Sequence, residues 1–256
     1  MIARVAGRRS GASPRRAPSR RGKAPVTLSI DVGSSHVKGH LLDDGGTALI
    51  EQRRVDTPDS LTPAVLLALL VKLGEETPSF DRVSIGLPGI VHRGVVYSLP
   101  VAGDHRFRGY PLARELERRL RRPVRLMNDG EMHGLGVIRR KGVELVLTLG
   151  TGLGSSLYLD GALGPRLQFV SPPHARAPVG GPYGEAARKR LGKKKWSRRI
   201  AKLIEALRTI TNFTHCYVGG GNAARLTVAL PSDVTLVDNA AAALGGLRLW
   251  EWDVEC

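Results

Sequence analysis

The chain has 256 residues, 42% of them hydrophobic, and carries a formal net charge of +16. That length allows one large domain or two small ones with proper hydrophobic cores. The two cysteines, Cys216 and Cys256, cannot form a disulfide framework or a cysteine-rich metal site. No apolar run reaches the roughly 18 residues that span a bilayer. These features predict a protein of the reducing cytoplasm and argue against secreted and membrane-spanning classes.

The positive charge is concentrated in two segments. Residues 1–25 carry eight Arg or Lys and no acid, and residues 183–202 carry nine Arg or Lys and one acid, Glu185. Because the first segment has almost no large apolar residues, we predict a disordered tail, with an anion-tethering role as the alternative. Both segments favour contact with a polyanion.

The first half of the chain predicts alternating strands and helices. Residues 26–32 and 36–42 alternate apolar side chains and predict a β-hairpin with a polar Gly-Ser-Ser tip. The elements predicted after this hairpin are a helix over 63–74, a strand over 83–87, a helix over 111–121, a strand over 124–127 and a helix up to residue 140.

The second half of the chain repeats the hairpin. Residues 143–149 and 155–159 predict two strands joined by a glycine-rich tip. A loop is predicted over 164–183, a helix over 195–210, a strand at 217–218, a helix from residue 222, a strand over 234–237 and a helix over 239–249. Strands mixed with crossover helices predict an α/β fold.

The first hairpin is a candidate phosphate site with the sequence Asp31-Val-Gly-Ser-Ser-His-Val-Lys38. Gly33 allows a sharp turn, while Ser34 and Ser35 offer hydroxyl and backbone N–H groups to phosphate oxygens. Asp31 lies at the end of a strand, where its carboxylate suits Mg²⁺ held through water. The alternative interpretation is an ordinary polar hairpin.

The second hairpin has glycines at alternating positions around Thr151, namely Gly150, Gly152 and Gly154. Backbone amides approach an anion closely only where no Cβ intervenes. Glycine-rich hairpins are common, so this segment alone is weak evidence. Neither hairpin is a Walker A loop, because no Gly-Lys-[Ser/Thr] follows.

Two further motifs follow predicted strands. Asn128-Asp129 lies just past a buried strand, where α/β folds place ligands. A carboxylate there could accept the proton of an attacking hydroxyl, with a helix N-cap as the alternative. The triplet Gly219-Gly220-Gly221 could bring the backbone against the adenosine or phosphate of a donor, with a tight turn as the alternative.

In combination these motifs resemble the ROK family of sugar kinases. The order DxGSSxxKG, GLPGxV, MND, LTLGTGxG and VGGGN covers roughly residues 26–250. The chain is similar to the polyphosphate glucokinase branch in GLPGIVHRGVV (86–96), LTLGTGLGSSLYLDG (147–161) and the basic stretch YGEAARKRLGKKKWSRRIAKLIEAL. The cysteine-rich zinc motif of many ROK kinases is absent, so no zinc is expected.

The resemblance implies a fold and a domain division. The fold is the actin-like ATPase (ribonuclease H-like) fold, with two α/β domains flanking a cleft. Residues 26–133 would form the N-terminal domain, on which the helix over 239–250 packs back, and residues 134–238 the C-terminal domain. The resemblance also implies a homodimer.

The resemblance carries site roles onto matching positions. Asn128 would bind the sugar, and Asp129 would be the catalytic base. The other matches are the first phosphate motif with its metal carboxylate (Asp31, Gly33, Ser34, Ser35, Lys38), the second phosphate motif (Gly150, Thr151, Gly152, Gly154), the donor side (Gly219, Gly220, Gly221) and the sugar-side turn (Gly86, Pro88, Gly89).

The segment after the second hairpin departs from the family. The family usually has Glu-x-Gly-His there, whereas this chain has Pro-Arg-Leu-Gln-Phe-Val-Ser-Pro-Pro-His over residues 165–174. We expect Gln168 to take the place of the Glu, and Ser171 or His174 to stand near the position of the His. This departure leaves a non-catalytic sugar-binding or regulatory relative open as an alternative.

The implied activity is transfer of a phosphoryl group from polyphosphate or ATP, with Mg²⁺, to the 6-OH of glucose. Basic residues before and on the predicted helix would contact polyphosphate, with a solvated helix face as the alternative; they are Lys193, Lys194, Lys195, Arg198 and Arg199. An ATP-only kinase for another hexose remains an alternative. A nucleic-acid-binding role is disfavoured, because the basic tail is too short and polar for a helix-turn-helix and aromatic residues beside the basic runs are sparse.

Overall fold

The computed structural model describes residues 24–100, 104–165, 181–238 and 240–251. The predicted basic tail lies almost wholly outside these ranges, as do Gln168, Ser171 and His174. Within them, no helix combines the length and apolar composition needed to cross a membrane.

The first sheet has five strands in the order β3-β2-β1-β4-β7. They are β1 (Thr27–Val32), β2 (His36–Leu42), β3 (Arg53–Asp56), β4 (Arg82–Leu87) and β7 (Val124–Asn128). Strands β1, β4 and β7 are parallel, while β2 and β3 are antiparallel to their neighbours. Edge strand β3 was not predicted. A two-stranded hairpin of β5 (Ile90–His92) and β6 (Val95–Ser98), also not predicted, follows β4.

Two helices cover one face of the first sheet, α1 (Pro63–Glu75) and α2 (Leu112–Leu120). The helix predicted over 63–74 is confirmed. Thr62 is the N-cap residue, and its Oγ1 accepts a hydrogen bond of 3.2 Å from the Val65 N–H. Pro63 follows in the first turn, where its missing N–H costs nothing. The apolar face of β1, with Leu28 and Ile30, is buried against these helices.

The second sheet has the order β10-β9-β8-β11-β12. Its strands are β8 (Val143–Leu149), β9 (Leu153–Leu159), β10 (Ala162–Leu163), β11 (His215–Gly219) and β12 (Val234–Leu236). The long helix α4 (Glu185–Thr211) covers one face through Trp196, Ile200 and Ile204.

Two predictions in this half need correction. Helix α4 begins at Glu185 rather than at residue 195, and it is interrupted at Gly192, where φ is 73° and ψ is 159°. This positive φ strains any residue except glycine, so the break belongs to the sequence. The helix predicted from residue 222 is wrong, because only a short 3₁₀ turn forms, over Ala223–Arg225.

Helices α3 (Asp129–Val137) and α5 (Ala240–Arg248) cross between the two sheets. Their backbones touch, because a Cβ on Gly136 would collide with the Ala241 carbonyl and one on Gly245 with the Met132 carbonyl. Helix α5 also packs on β1 and β4 of the first sheet, where the Ser84 hydroxyl donates a 2.6 Å hydrogen bond to the Gly246 carbonyl.

Candidate active site

The tips of the two predicted hairpins meet. The Ser34 and Thr151 hydroxyl oxygens lie 3.0 Å apart, although the residues are 117 positions apart and lie in the turns of hairpins from different sheets. The first tip is closed by a 3.0 Å hydrogen bond from the Gly33 N–H to the His36 carbonyl, and the Thr57 hydroxyl braces it by donating to the Gly33 carbonyl at 2.8 Å. The fold therefore brings two polar, glycine-containing turns together at one point.

The glycines of the two tips differ in what surrounds them. A Cβ on Gly33 would lie 2.9 Å from the His36 carbonyl oxygen, and one on Gly154 would collide with the Thr148 hydroxyl. A Cβ on Gly150 would meet nothing within 4 Å. Packing therefore explains Gly33 and Gly154, whereas no neighbour excludes a side chain at Gly150, whose N–H donates to the Gly152 carbonyl at 3.0 Å.

The three glycines of the donor-side triplet (219–221) also differ in what surrounds them. Gly219 makes room for His133, because a Cβ there would collide with the imidazole Nε2. Gly220 has a φ of +88° and packs on the backbone of Leu149, while Gly221 faces open space. Within the part of the chain that the structure describes, packing requires glycine at the first two positions but not at Gly221.

Asn222 and Glu185 brace the second tip, a role that the sequence pattern did not predict for either residue. The Asn222 Nδ2 donates a 3.1 Å hydrogen bond to the Gly150 carbonyl. The Glu185 N–H donates to the same carbonyl at 3.0 Å, so α4 begins beside this tip. Hydrogen bonds, first that from Asn222, lower the pKa of Glu185 to about 2. An asparagine directly after three glycines was the available sequence signal.

Asn128 caps α3, which leaves Asp129 available for chemistry. The Asn128 Oδ1 accepts hydrogen bonds from the backbone N–H groups of Gly130, at 3.0 Å, and Glu131, at 3.2 Å. Its Nδ2 donates to the Gly89 carbonyl at 3.0 Å. Asn128 thus ties the sugar-side turn to the start of α3, and Asp129 stands in the first turn of the helix.

The carboxylates of Asp129 and Asp31 influence each other. The pKa of Asp129 is raised from its ordinary value of 3.8 to about 6, chiefly by burial and then by the negative charge of Asp31. Burial also raises the pKa of Asp31, against the effect of Lys38, whose Nζ lies 3.8 Å from an Asp31 oxygen. A carboxylate with a pKa near 6 is suited to accept a proton at neutral pH.

The Asp31 carboxylate is the side chain that would contribute a ligand to a magnesium ion. Mg²⁺ prefers carboxylate and water oxygens and is usually completed by substrate phosphates. Asp31 offers a carboxylate that burial destabilises in its charged form, a cost that a divalent cation would offset. No group of three or more His, Cys, Asp or Glu side chains forms a metal cage among the described residues, so the protein would supply few ligands itself.

The basic residues of α4 are mostly free of acidic partners. Lys193, Lys194, Lys195 and Arg198 are exposed, and none of them lies within 4 Å of an acid among the described residues. Arg199 is half-buried and donates to the Pro182 carbonyl at 3.3 Å. The four exposed cations therefore form a basic surface on the helix that begins beside Thr151.

A family model described as ROK family matches residues 27–164, more than half of the chain. The chain belongs to the ROK family. It is 27% identical to a polyphosphate glucokinase of Mycobacterium tuberculosis over 216 residues, which cover 77% of this chain and 78% of that protein. An N-acetylmannosamine kinase of Vibrio cholerae is 28% identical over 143 residues, which cover 54% of this chain and 49% of that one.

Solved structures agree with the family. An inorganic polyphosphate/ATP-glucomannokinase from Arthrobacter sp. strain KM is 27% identical, with a TM-score of 0.75 over 88% of this chain and 98% of that one. A ROK family glucokinase from Streptomyces griseus shares the fold, at 17% identity and a TM-score of 0.68 over 88% of this chain and 98% of that one. The predicted actin-like ATPase fold is confirmed.

Proposed function

We propose that this protein is a sugar kinase that uses Asp129 as the general base. The observation that carries the proposal is the meeting of the Ser34 and Thr151 hydroxyls at 3.0 Å, with a carboxyl of raised pKa, Asp129, within the electrostatic reach of Asp31. Phosphoryl transfer needs little covalent chemistry from the protein; it needs a held phosphoryl group, an oriented hydroxyl and neutralised charge.

Each group at the site would have its own part in the reaction. Asp129 accepts the proton of the sugar hydroxyl, the 6-OH if the sugar is glucose. The hydroxyls of Ser34 and Thr151 at the two tips orient the transferred phosphoryl group, and Lys38 offsets its charge. Closure of the cleft keeps out water, which would otherwise compete as acceptor. A magnesium ion at Asp31, when bound, supplies additional charge neutralisation.

We propose polyphosphate, with ATP as a second donor, as the phosphoryl source. The relatives from Mycobacterium tuberculosis and Arthrobacter, a polyphosphate glucokinase and an inorganic polyphosphate/ATP-glucomannokinase, support this choice. So does the basic surface of α4, since a polyanion with about one charge per phosphate suits several cations along a helix. Arg199, which is held by a carbonyl, contributes less than the four exposed cations.

Further expectations belong to the same proposal. The domains would divide at residue 134, with α5 packed on the N-terminal one, and the protein would act as a cytoplasmic homodimer.

The departure at residues 165–174 favours one competing function, a non-catalytic sugar-binding relative. Glucose-dependent formation of a sugar phosphate separates the two.

The decisive experiment is a panel of hexoses against ATP and polyphosphate, run with the wild type and Asp129→Asn. We expect the wild type to phosphorylate glucose and the variant to form no sugar phosphate above background, because the base is lost while the Asn side chain keeps the helix start intact. Circular dichroism confirms that the variant is folded. Turnover retained in Asp129→Asn would remove Asp129 from its role, and a wild type inactive with every pair would refute the kinase.

A further inference from the structure

One row of side chains crosses the first sheet from the candidate base to the sheet edge. A Cβ on Gly86 would lie 3.3 Å from the Asp129 Cα. Gly86 pairs with Asp31, Asp31 pairs with Lys38, and Lys38 pairs with Arg54 on edge strand β3. Directly paired residues of neighbouring strands point to the same face of a sheet.

The row lies on the site side of the sheet. A Cβ on Gly39 would touch Leu73 of α1, so Gly39 and its partner Arg53 face the helical layer of α1. Alternation then places Lys38 and Arg54 on the opposite face, with Asp31. Neighbouring strands are about 4.8 Å apart, so the backbone of Arg54 lies roughly 10 Å from that of Asp31.

The charge along the row is positive beyond Asp31. Lys38 is paired with Asp31, and Arg54 has no acid within 4 Å among the described residues. Its Nη2 lies 2.7 Å from the Nε2 of His36, and the same ring nitrogen is 3.3 Å from the highly exposed carboxylate of Asp56. Asp31 and Asp56 are the acids next to the row, so a magnesium ion on Asp31 would leave Lys38 and Arg54 with excess positive charge.

We propose that Arg54, positioned by His36 and flanked by Lys38, forms a second anion-binding subsite, which binds phosphates of a polyphosphate donor beyond the one transferred. The inference rests on the proposed function. It extends the donor-binding surface from the exposed cations of α4 to the first sheet. An exposed guanidinium fork binds phosphate oxygens through paired charge-assisted hydrogen bonds. A long chain held at the tips would reach it by running across β2 to the sheet edge, whereas ATP is too short to use it fully.

The test measures direct binding of inorganic polyphosphate of defined length, and of ATP, by calorimetry without sugar. We expect Arg54→Gln to weaken polyphosphate binding roughly three- to tenfold and to lower the log–log salt slope by about 0.7–0.9. Arg54→Lys, which keeps the charge but loses the paired donors, should keep the salt slope and lose only part of the affinity. Arg53→Gln is the matched control, because Arg53 lies on the same strand but faces α1 and Glu76. ATP binding should change less than polyphosphate binding in every variant.

The outcomes separate this inference from the kinase proposal. Polyphosphate binding that is unchanged in Arg54→Gln, or weakened equally in Arg53→Gln, overturns the subsite whether or not the enzyme is active. A wild type that does not bind polyphosphate also overturns it, while ATP-dependent sugar phosphorylation could still stand. A wild type that binds polyphosphate through Arg54 but transfers nothing supports the subsite and refutes the kinase.

Discussion

Replacing the candidate base should stabilise the protein. The pKa of Asp129 rises from 3.8 to about 6 in the folded state, so the folded protein binds this proton more tightly than the unfolded chain does. The folded state therefore loses stability as pH rises from about 4 to about 6, and the loss is complete above that range. At about 1.4 kcal/mol per tenfold change in proton affinity, the loss is about 3 kcal/mol. Asp129→Asn, which carries no charge, avoids it.

Thermal unfolding at several pH values measures this effect. For a protein of this size a change of 1 kcal/mol shifts Tm by about 2–4 °C, so we expect Asp129→Asn to melt about 6–12 °C above the wild type at pH 7.5. At pH 5, which lies about midway between the pKa values of the unfolded and folded states, the difference in Tm should fall to about half. The Asn oxygen can still accept the 2.9 Å hydrogen bond from the Gly130 N–H, so little is lost in exchange.

The control is Asp59→Asn, which removes an exposed carboxylate before α1 and should leave Tm nearly unchanged. An Asp129→Asn variant that melts at or below the wild type at pH 7.5 would refute the reasoning. So would an increase in Tm that is the same at pH 5 and pH 7.5, because the ionisation of Asp129 would then not be its source.

Two other predictions follow from packing and charge. Gly219→Ala should lower Tm, because the new Cβ collides with His133. His133→Ala should restore most of the loss, and a double variant no more stable than Gly219→Ala alone would contradict this. With polyphosphate as donor, the apparent affinity should fall with salt at a log–log slope of up to about 2.8 for contacts to the four exposed cations of α4, and with ATP much less. An equal salt response for both donors would argue against the basic surface of α4.

Short motifs made most of the candidate site predictable from sequence. Both hairpins, the Asn-Asp pair and the glycine triplet were recognised because turns with special backbone needs leave glycine, serine and asparagine at fixed spacing. The spacing did not reveal which glycines face a ligand. That distinction depends on neighbours far along the chain, such as His133 against Gly219 and Thr148 against Gly154.

The missed elements have weak local patterns. Strand β3 (Arg53–Asp56) has three charged residues out of four and is a sheet edge, where hydrophobic alternation is not required. The start of α4 is rich in charged residues and is broken at Gly192, so its apolar periodicity appears only after the break. The helix expected from residue 222 stops after one 3₁₀ turn, because Leu226 leaves the helical region with a ψ of 138° and the Thr227 N–H donates to the Ser197 Oγ at 3.1 Å instead of to a helical carbonyl.

The sequence by itself determined the α/β class, the two polar turns, the helix that starts at Asp129 and the family, because each depends on a few neighbouring residues. Tertiary structure alone decided that Ser34 and Thr151 meet, that Asp31 raises the pKa of Asp129, and that Arg54 shares a face with Lys38. These relations depend on strand order and register, which arise when distant segments are buried together, and no local pattern of residues records them.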